Sequence, residues 1–420
     1  MEPIGTIGVG ALLYWPGSFR LLFVSRFSVQ PLFVNAFTLV SALGAGTDTT
    51  RRALMENCTA LTPNDFAPAP VECHVGRVPD VEAVTLPESL SDFQCRNHQL
   101  ALLALEQDGF AQAVTRARKR YGAERVGVFL GTSTSGILTT ELAYRARDTQ
   151  TGALNDTVKY AETHNFGALT GFVRALFALR GPCITVSTAC SSSAKVFASA
   201  QRSIAAGLCD AAIVGGVDSL CATTLYGFSS LQLVSKSPAR PFDALRDGLS
   251  IGEAGGFALL ERESSDLALL GYGETSDAYH MSSPHPEGAG ARDAMRAALQ
   301  RAGLDAGVID YVHAHGTATR NNDSTEDKAI AAVFGNAVPV SSTKGAMGHT
   351  LGAAGIAGAV IALLAIRHGF APGTANTTSI DPECISKLQM NAAPREVRYV
   401  LTNSFGFGGN NCSLVFGAMH

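Results

Sequence analysis

Two segments of this chain share a plan that few folds accommodate. P-C-I-T-V-S-T-A-C at 182–190 is a β-branched run that turns into a helix from Ser191, and V-P-V-S-S-T-K at 338–344 leads to a second helix from Leu351. Both helices carry alanine, glycine or serine on every face, so neither has the single apolar stripe of a surface helix. Such helices sit between layers, where small side chains let backbones approach closely. A strand, a turn and a buried helix occurring once in each half predicts two similar sheet-and-helix halves stacked as a layered sandwich.

The rest of the pattern agrees. Apolar β-rich runs at 126–130, 184–187, 211–214 and 256–260 alternate with helical stretches over 92–121 and 194–206, as in an α/β fold with a buried sheet. Runs at 309–314, 338–342, 399–402 and 412–416 repeat the scheme. The halves divide at 33–265 and 266–420, and the stretch 261–273 reads as a short mixed connection. Between them, P-F-D-A-L-R-D-G-L-S-I-G-E-A-G-G (241–256) is polar and glycine-rich, which predicts a loop folded over the site.

With 420 residues, 46% of them apolar and 16% charged, the chain can bury a large core without a metal or disulfide. A formal charge of −4 gives no footprint for nucleic acid or for an anionic membrane surface. Nine scattered cysteines without a C-x-x-C pair suit a reduced cytoplasm. Residues 1–32 differ in character, with an apolar run at 7–15 followed by Pro16, Gly17, Arg20 and Arg26. That run is shorter than the roughly 20 residues a span needs, and it lacks the basic start and cleavage site of a signal peptide. It reads as an N-terminal leader, so no membrane span is expected.

Cys190 lies where the first repeated strand gives way to its helix. A thiol there faces free backbone N–H groups and the positive helix end, which predicts a lowered pKa and a reactive thiolate. His315, in Y-V-H-A-H-G-T-A-T, and His349, in S-S-T-K-G-A-M-G-H-T-L-G-A-A-G, also follow strands, so the three groups are expected on one side of the molecule. His313 is assigned to structure. The H-A-H spacing does not form a metal site, since strand neighbours diverge and no carboxylate completes a tetrahedral set. Lys344 can hold a carboxylate or tune a histidine. Asp323 and Glu326, in R-N-N-D-S-T-E-D-K, share a helix face and are expected to pair with Lys344. In N-S-F-G-F-G-G-N-N a backbone N–H can serve an oxyanion hole.

Together these five motifs resemble the β-ketoacyl-acyl carrier protein synthases of the thiolase superfamily, with V-S-T-A-C-S-S-S carrying the nucleophile and the match running from about Val34 to Phe416. The resemblance implies a thiolase-like five-layer αβαβα sandwich and decarboxylative condensation of a Cys190-bound acyl group with malonyl-acyl carrier protein. It implies that His315 and His349 stabilise the enolate, and that the backbone N–H groups of Cys190 and Phe407 form the oxyanion hole. Lys344, Glu326 and Asp323 would supply supporting charges, and Thr317, Thr319 and Ser283 would bind phosphopantetheine. No cofactor would be tightly bound. Partners would be acyl carrier protein and a second subunit, identical or a chain-length-factor-like paralogue. A second histidine at 349, rather than asparagine, resembles elongating enzymes. The R-N-N-D variation resembles synthases of aryl polyene or polyketide-type pathways. Two rival readings, a non-catalytic chain-length-factor-like subunit and a cysteine hydrolase, fit the histidines, lysine and thiol less well.

Overall fold

The computed structural model describes residues 28–154 and 158–419, so the expected leader lies outside the described residues up to position 27. Its first half contains β1 (Leu32–Ser41), α1 (Arg96–Leu105), α2 (Phe110–Tyr121), β2 (Val126–Gly131), α3 (Gly167–Leu176), β3 (Cys183–Val186), α4 (Ser192–Ala205), β4 (Ala211–Asp218) and β5 (Ala254–Glu261). The second half contains β6 (Leu267–Ser276), α5 (Ala289–Ala302), β7 (Tyr311–His313), α6 (Arg320–Phe334), β8 (Pro339–Ser341), α7 (Ala354–His368), β9 (Tyr399–Gly406) and β10 (Asn410–Ala418).

The halves have the same topology. Strand order is β1-β5-β4-β2-β3 in the first and β6-β10-β9-β7-β8 in the second. In each, the first two pairings are antiparallel and the last two parallel. The repeated segments thus occupy equivalent positions, β3 with α4 and β8 with α7. Among the described residues the sheets form one hydrogen-bonded path, joined by Leu32 opposite Leu269 and Phe33 opposite Ala268.

Period-two alternation along the strands assigns the layers. Val214 and Leu414 join α4 and α7 in one buried cluster that also holds Phe197, Ile356 and Val360. Their neighbours face outward: Ile213 packs with α1, α2 and α3, and Val415 with α5 and α6. Five layers result, αβαβα, with the small-residue helices in the centre. Segment 351–368 is long and apolar enough to cross a bilayer by length and composition, but here it is a buried core helix.

Two expectations need correction. The helical stretch 92–121 is broken between α1 and α2, with Asp108 and Gly109 both at positive φ (55° and 67°). The Asp-Gly pair is a turn signal that outweighs helical periodicity. The presumed connection 261–273 is mostly β6, because its leucines are fully used between β1 and β10.

Gly355 shows why the central helices are made of small residues. A Cβ there would lie 2.2 Å from the backbone nitrogen of Ala194. Gly355→Ala must push α7 off α4, and overpacking of this kind costs about 1–3 kcal/mol. The denaturant midpoint of this variant is expected to fall with an unchanged slope, whereas Gly307→Ala, which meets nothing within 4 Å, should hardly move it.

Candidate active site

Beyond β3 the chain turns sharply at Ala189, a non-glycine residue at φ 51°, and places Cys190 just before the N-cap Ser191 of α4. Ala318 (67°), Phe242 (60°) and Leu351 (53°) take the same left-handed conformation in the neighbouring loops. Such residues cost on the order of 1–3 kcal/mol each and persist where surrounding contacts fix them. Gly406 lies against the Thr188 carbonyl, where a Cβ would approach to 2.6 Å. This close approach carries Phe407 to the thiol, and the backbone N–H groups of Phe407 and Cys190 both act to lower the thiol pKa.

Sγ and one ring nitrogen from each of His315 and His349 lie within 4.8 Å of one another, all buried. The imidazoles meet edge to face, with centroids 5.2 Å apart and planes at 84°. Each ring has its Nδ1 engaged: the Leu351 N–H donates to His349 Nδ1 at 3.2 Å, and Lys344 Nζ donates to His315 Nδ1 at 3.4 Å. Lys344 also donates to the His315 carbonyl. With Nδ1 accepting, the neutral rings carry their proton on Nε2. The site therefore offers two Nε2–H donors and two backbone N–H donors. The Lys344 ammonium beside the thiol and imidazoles opposes a metal cation among them.

The expected pairing of both acids with Lys344 is not what the structure has. Glu326 accepts from the N–H groups of His315 and Gly316, each at 2.7 Å, and from Asn403 Nδ2 at 3.2 Å. Asp323 accepts from the N–H groups of Thr317, Ala318 and Phe242. Both acids clamp the backbone of the H-G-T-A-T turn because the start of α6 folds directly beneath it. Their charge still reaches Lys344 through the low-dielectric interior. His313 is fixed between Thr402 Oγ1 and Thr343 Oγ1.

Asp218 carried no sequence signal, and the part Asn403 plays is not legible in the N-S-F-G-F-G-G-N-N motif that begins with it. Asp218, a lone acid ending β4, is fully buried and accepts from Thr132, Ser133 and Thr134 and from the Gly352 N–H at 2.6 Å. It ties the end of β2 to the turn after His349. Asn403, itself held by Ser413 Oγ, supports Glu326.

The expected low thiol pKa is also corrected. Burial pushes the Cys190 thiol up to about 12, outweighing Lys344 and the two backbone N–H groups that pull it down. Burial likewise depresses the histidines: His98 to about 4, His313 to about 3, and His315 and His349 well below their usual value, with Lys344 adding to the last three. Lys344 falls to about 8 and Glu326 rises to about 7, both through burial. Below pH 6.5 the unfolded chain protonates four histidines that the native state keeps neutral, so stability falls as pH falls. Glu326 and Asp323, whose pKa values burial raises, act with the opposite sign. The four histidines outnumber the two acids, so the net effect is a loss of stability as pH falls below 6.5. Urea midpoints measured from pH 7 to 5 should drop steeply, and a flat profile would contradict these buried neutral imidazoles.

Cys190, His315 and His349 open onto a cavity of about 490 Å³ that Thr317, Thr319, Ser283 and Phe407 also line. Thr317 Oγ1 and Thr319 Oγ1 are 2.8 Å apart, turned to the same side by the left-handed Ala318 between them. Asp247, Gly248 and Leu249 contribute to the wall, so the glycine-rich loop does cover the site.

Comparison with known proteins accords with this geometry. The β-ketoacyl synthase N-terminal domain family matches residues 72–266, and the C-terminal domain family matches 268–378. A 3-oxoacyl-[acyl-carrier-protein] synthase 2 of Staphylococcus aureus is 32% identical over 363 residues, covering 80% of this chain and 87% of that protein. The chain belongs to the β-ketoacyl synthase family. Other synthase relatives match over less of their length: the Rhizobium meliloti 3-oxoacyl-[acyl-carrier-protein] synthase 2 is 40% identical across 56% of this chain and 61% of its own, and the Arabidopsis thaliana mitochondrial 3-oxoacyl-[acyl-carrier-protein] synthase 39% across 60% and 59%. Among solved structures, a Xenorhabdus doucetiae ketosynthase in complex with its chain length factor superposes with TM-score 0.86 at 38% identity, covering 93% of this chain and 98% of that one. A Burkholderia phymatum β-ketoacyl synthase gives 0.83 at 27%, covering 93% and 100%.

Proposed function

We propose that this synthase-family protein extends an acyl chain by two carbons, condensing a Cys190 thioester with malonyl-acyl carrier protein. The observation that carries the reading is one thiol facing two Nε2–H donors and two backbone N–H donors in one buried cluster. In acyl transfer the Cys190 sulfur bonds the acyl carbon, the carrier sulfur leaves, and the thiol proton ends on the departing carrier thiol. The protonated resting state of Cys190 suits that exchange. The malonyl carboxylate then departs as carbon dioxide, and His315 and His349 hold the thioester enolate oxygen through Nε2–H. The enolate carbon attacks the Cys190 thioester, whose oxyanion lies on the Cys190 and Phe407 N–H groups. Collapse expels the Cys190 sulfur, which takes up a proton. Lys344 orients His315, Glu326 and Asp323 fix the turn carrying it, and Thr317, Thr319 and Ser283 line the path of the phosphopantetheine arm.

The Xenorhabdus doucetiae ketosynthase, solved with its chain length factor, supports a two-subunit assembly, with an identical chain or a chain-length-factor-like paralogue as partner. The R-N-N-D variation after the H-G-T-A-T turn supports placing this chain in an aryl polyene or polyketide-type pathway. An outer edge of β3 with Cys183 and Ile184 exposed gives a second subunit a strand to pair with. All nine cysteines are unpaired, which supports a cytoplasmic setting. The test is intact mass after mixing with acyl-carrier protein, followed by malonyl-carrier protein: a Cys190 acyl adduct should form and then discharge with release of carbon dioxide. An adduct that water alone discharges would instead mark a hydrolase.

A further inference from the structure

The wall of the cavity runs from inside to outside along one strand of chain. His315 and Thr317 are buried, Thr319 is half-buried, and Arg320, the next residue, is exposed at the mouth. Arg320 donates through Nε to the Arg246 carbonyl at 3.4 Å. Among the described residues no carboxylate lies within ion-pair distance of its guanidinium, whereas Arg246 beside it pairs with Asp381 and has Asp323 at 3.9 Å. Arg320, Asn321 and Asn322 of the first turn of α6 all line the cavity, so the N–H groups that begin this 15-residue helix lie at the same opening. The mouth also holds one exposed acid, Asp247, whose Oδ1 accepts from Ser235 Oγ.

We propose that Arg320 reads the phosphodiester of a carrier-borne substrate, so that the enzyme selects phosphorylated over unphosphorylated pantetheine thioesters. This rests on the condensing reading above. An arm whose sulfur reaches Cys190 and whose amides pass Thr317 and Thr319 leaves its phosphate at the cavity mouth. A guanidinium fixed at Nε keeps its two terminal nitrogens for a bidentate grip on phosphate oxygens, which a point-charge ammonium matches less well. Because the phosphate lies at the far end from the reacting carbon, the grip acts on binding and positioning.

The test compares malonyl-phosphopantetheine with malonyl-pantetheine as the extender, using Cys190-acylated full-length protein. The wild type is expected to favour the phosphorylated thioester about tenfold or more in kcat/KM, mainly through KM. In Arg320→Gln that ratio should collapse toward one, and Arg320→Lys should restore part of it. A wild type without preference, or a ratio unchanged in Arg320→Gln, overturns the proposal. If the wild type condenses neither thioester nor malonyl-carrier protein, the condensing reading itself fails. Thermal midpoints of the variants identify any loss of fold.

Discussion

Replacing Cys190 with alanine is expected to abolish acyl loading and to lower condensation by about 10⁴-fold or more, the scale on which loss of a covalent nucleophile is felt. Intact mass would show no acyl adduct after incubation with acyl-carrier protein. The fold should survive, since the change removes one sulfur at a cost of about 1 kcal/mol. The left-handed turn at Ala189 and the Gly406 approach are held by other contacts. Cys190→Ser provides the complementary case. It nearly keeps the size and stays beside the same two backbone N–H groups, but an alcohol exchanges with a thioester far less readily than a thiol. An adduct of undiminished yield in Cys190→Ala would place the nucleophile elsewhere.

What could be read from the sequence divides along a physical line. The meeting of Cys190, His315 and His349 was legible because the strand-turn-helix pattern fixes where strand ends lie. Groups that act by holding backbone were not. Asp323 and Glu326 share a helix face, as their spacing requires, yet they bind backbone amides 5 to 11 residues earlier and, through Phe242 and Asn403, groups 81 and 77 residues away. No side-chain pattern encodes that. Asp218 binds groups 84 to 134 residues away, so only the folded chain could identify it. The thiol pKa failed for a different reason. A helix N-terminus is legible, but the desolvation that outweighs it depends on what surrounds Cys190 in three dimensions. The repeated halves succeeded because small residues on every helix face can mean little else.

The two imidazoles predict a separation of half-reactions. His349→Ala removes one of the two Nε2–H donors to the enolate but neither of the backbone N–H groups beside the Cys190 thiol. Loading of Cys190 should therefore remain within about threefold of the wild type. Malonyl decarboxylation and condensation should fall about 10²- to 10³-fold, the usual loss for one oxyanion donor in a buried site. Equal losses in loading and condensation would show that His349 instead serves the thiol. The same site gives the wild type a pH signature. Lys344, lowered by burial to about 8, is an ammonium below that pH and a neutral amine above it. Its charge favours the developing enolate, so condensation should decline as pH rises through about 8, while loading continues because thiol reactivity rises with pH. In Lys344→Met that decline should vanish along with most of the condensation rate. The imidazoles stay neutral throughout this range, so a limb at pH 8 in the wild type that is missing from the variant belongs to the lysine.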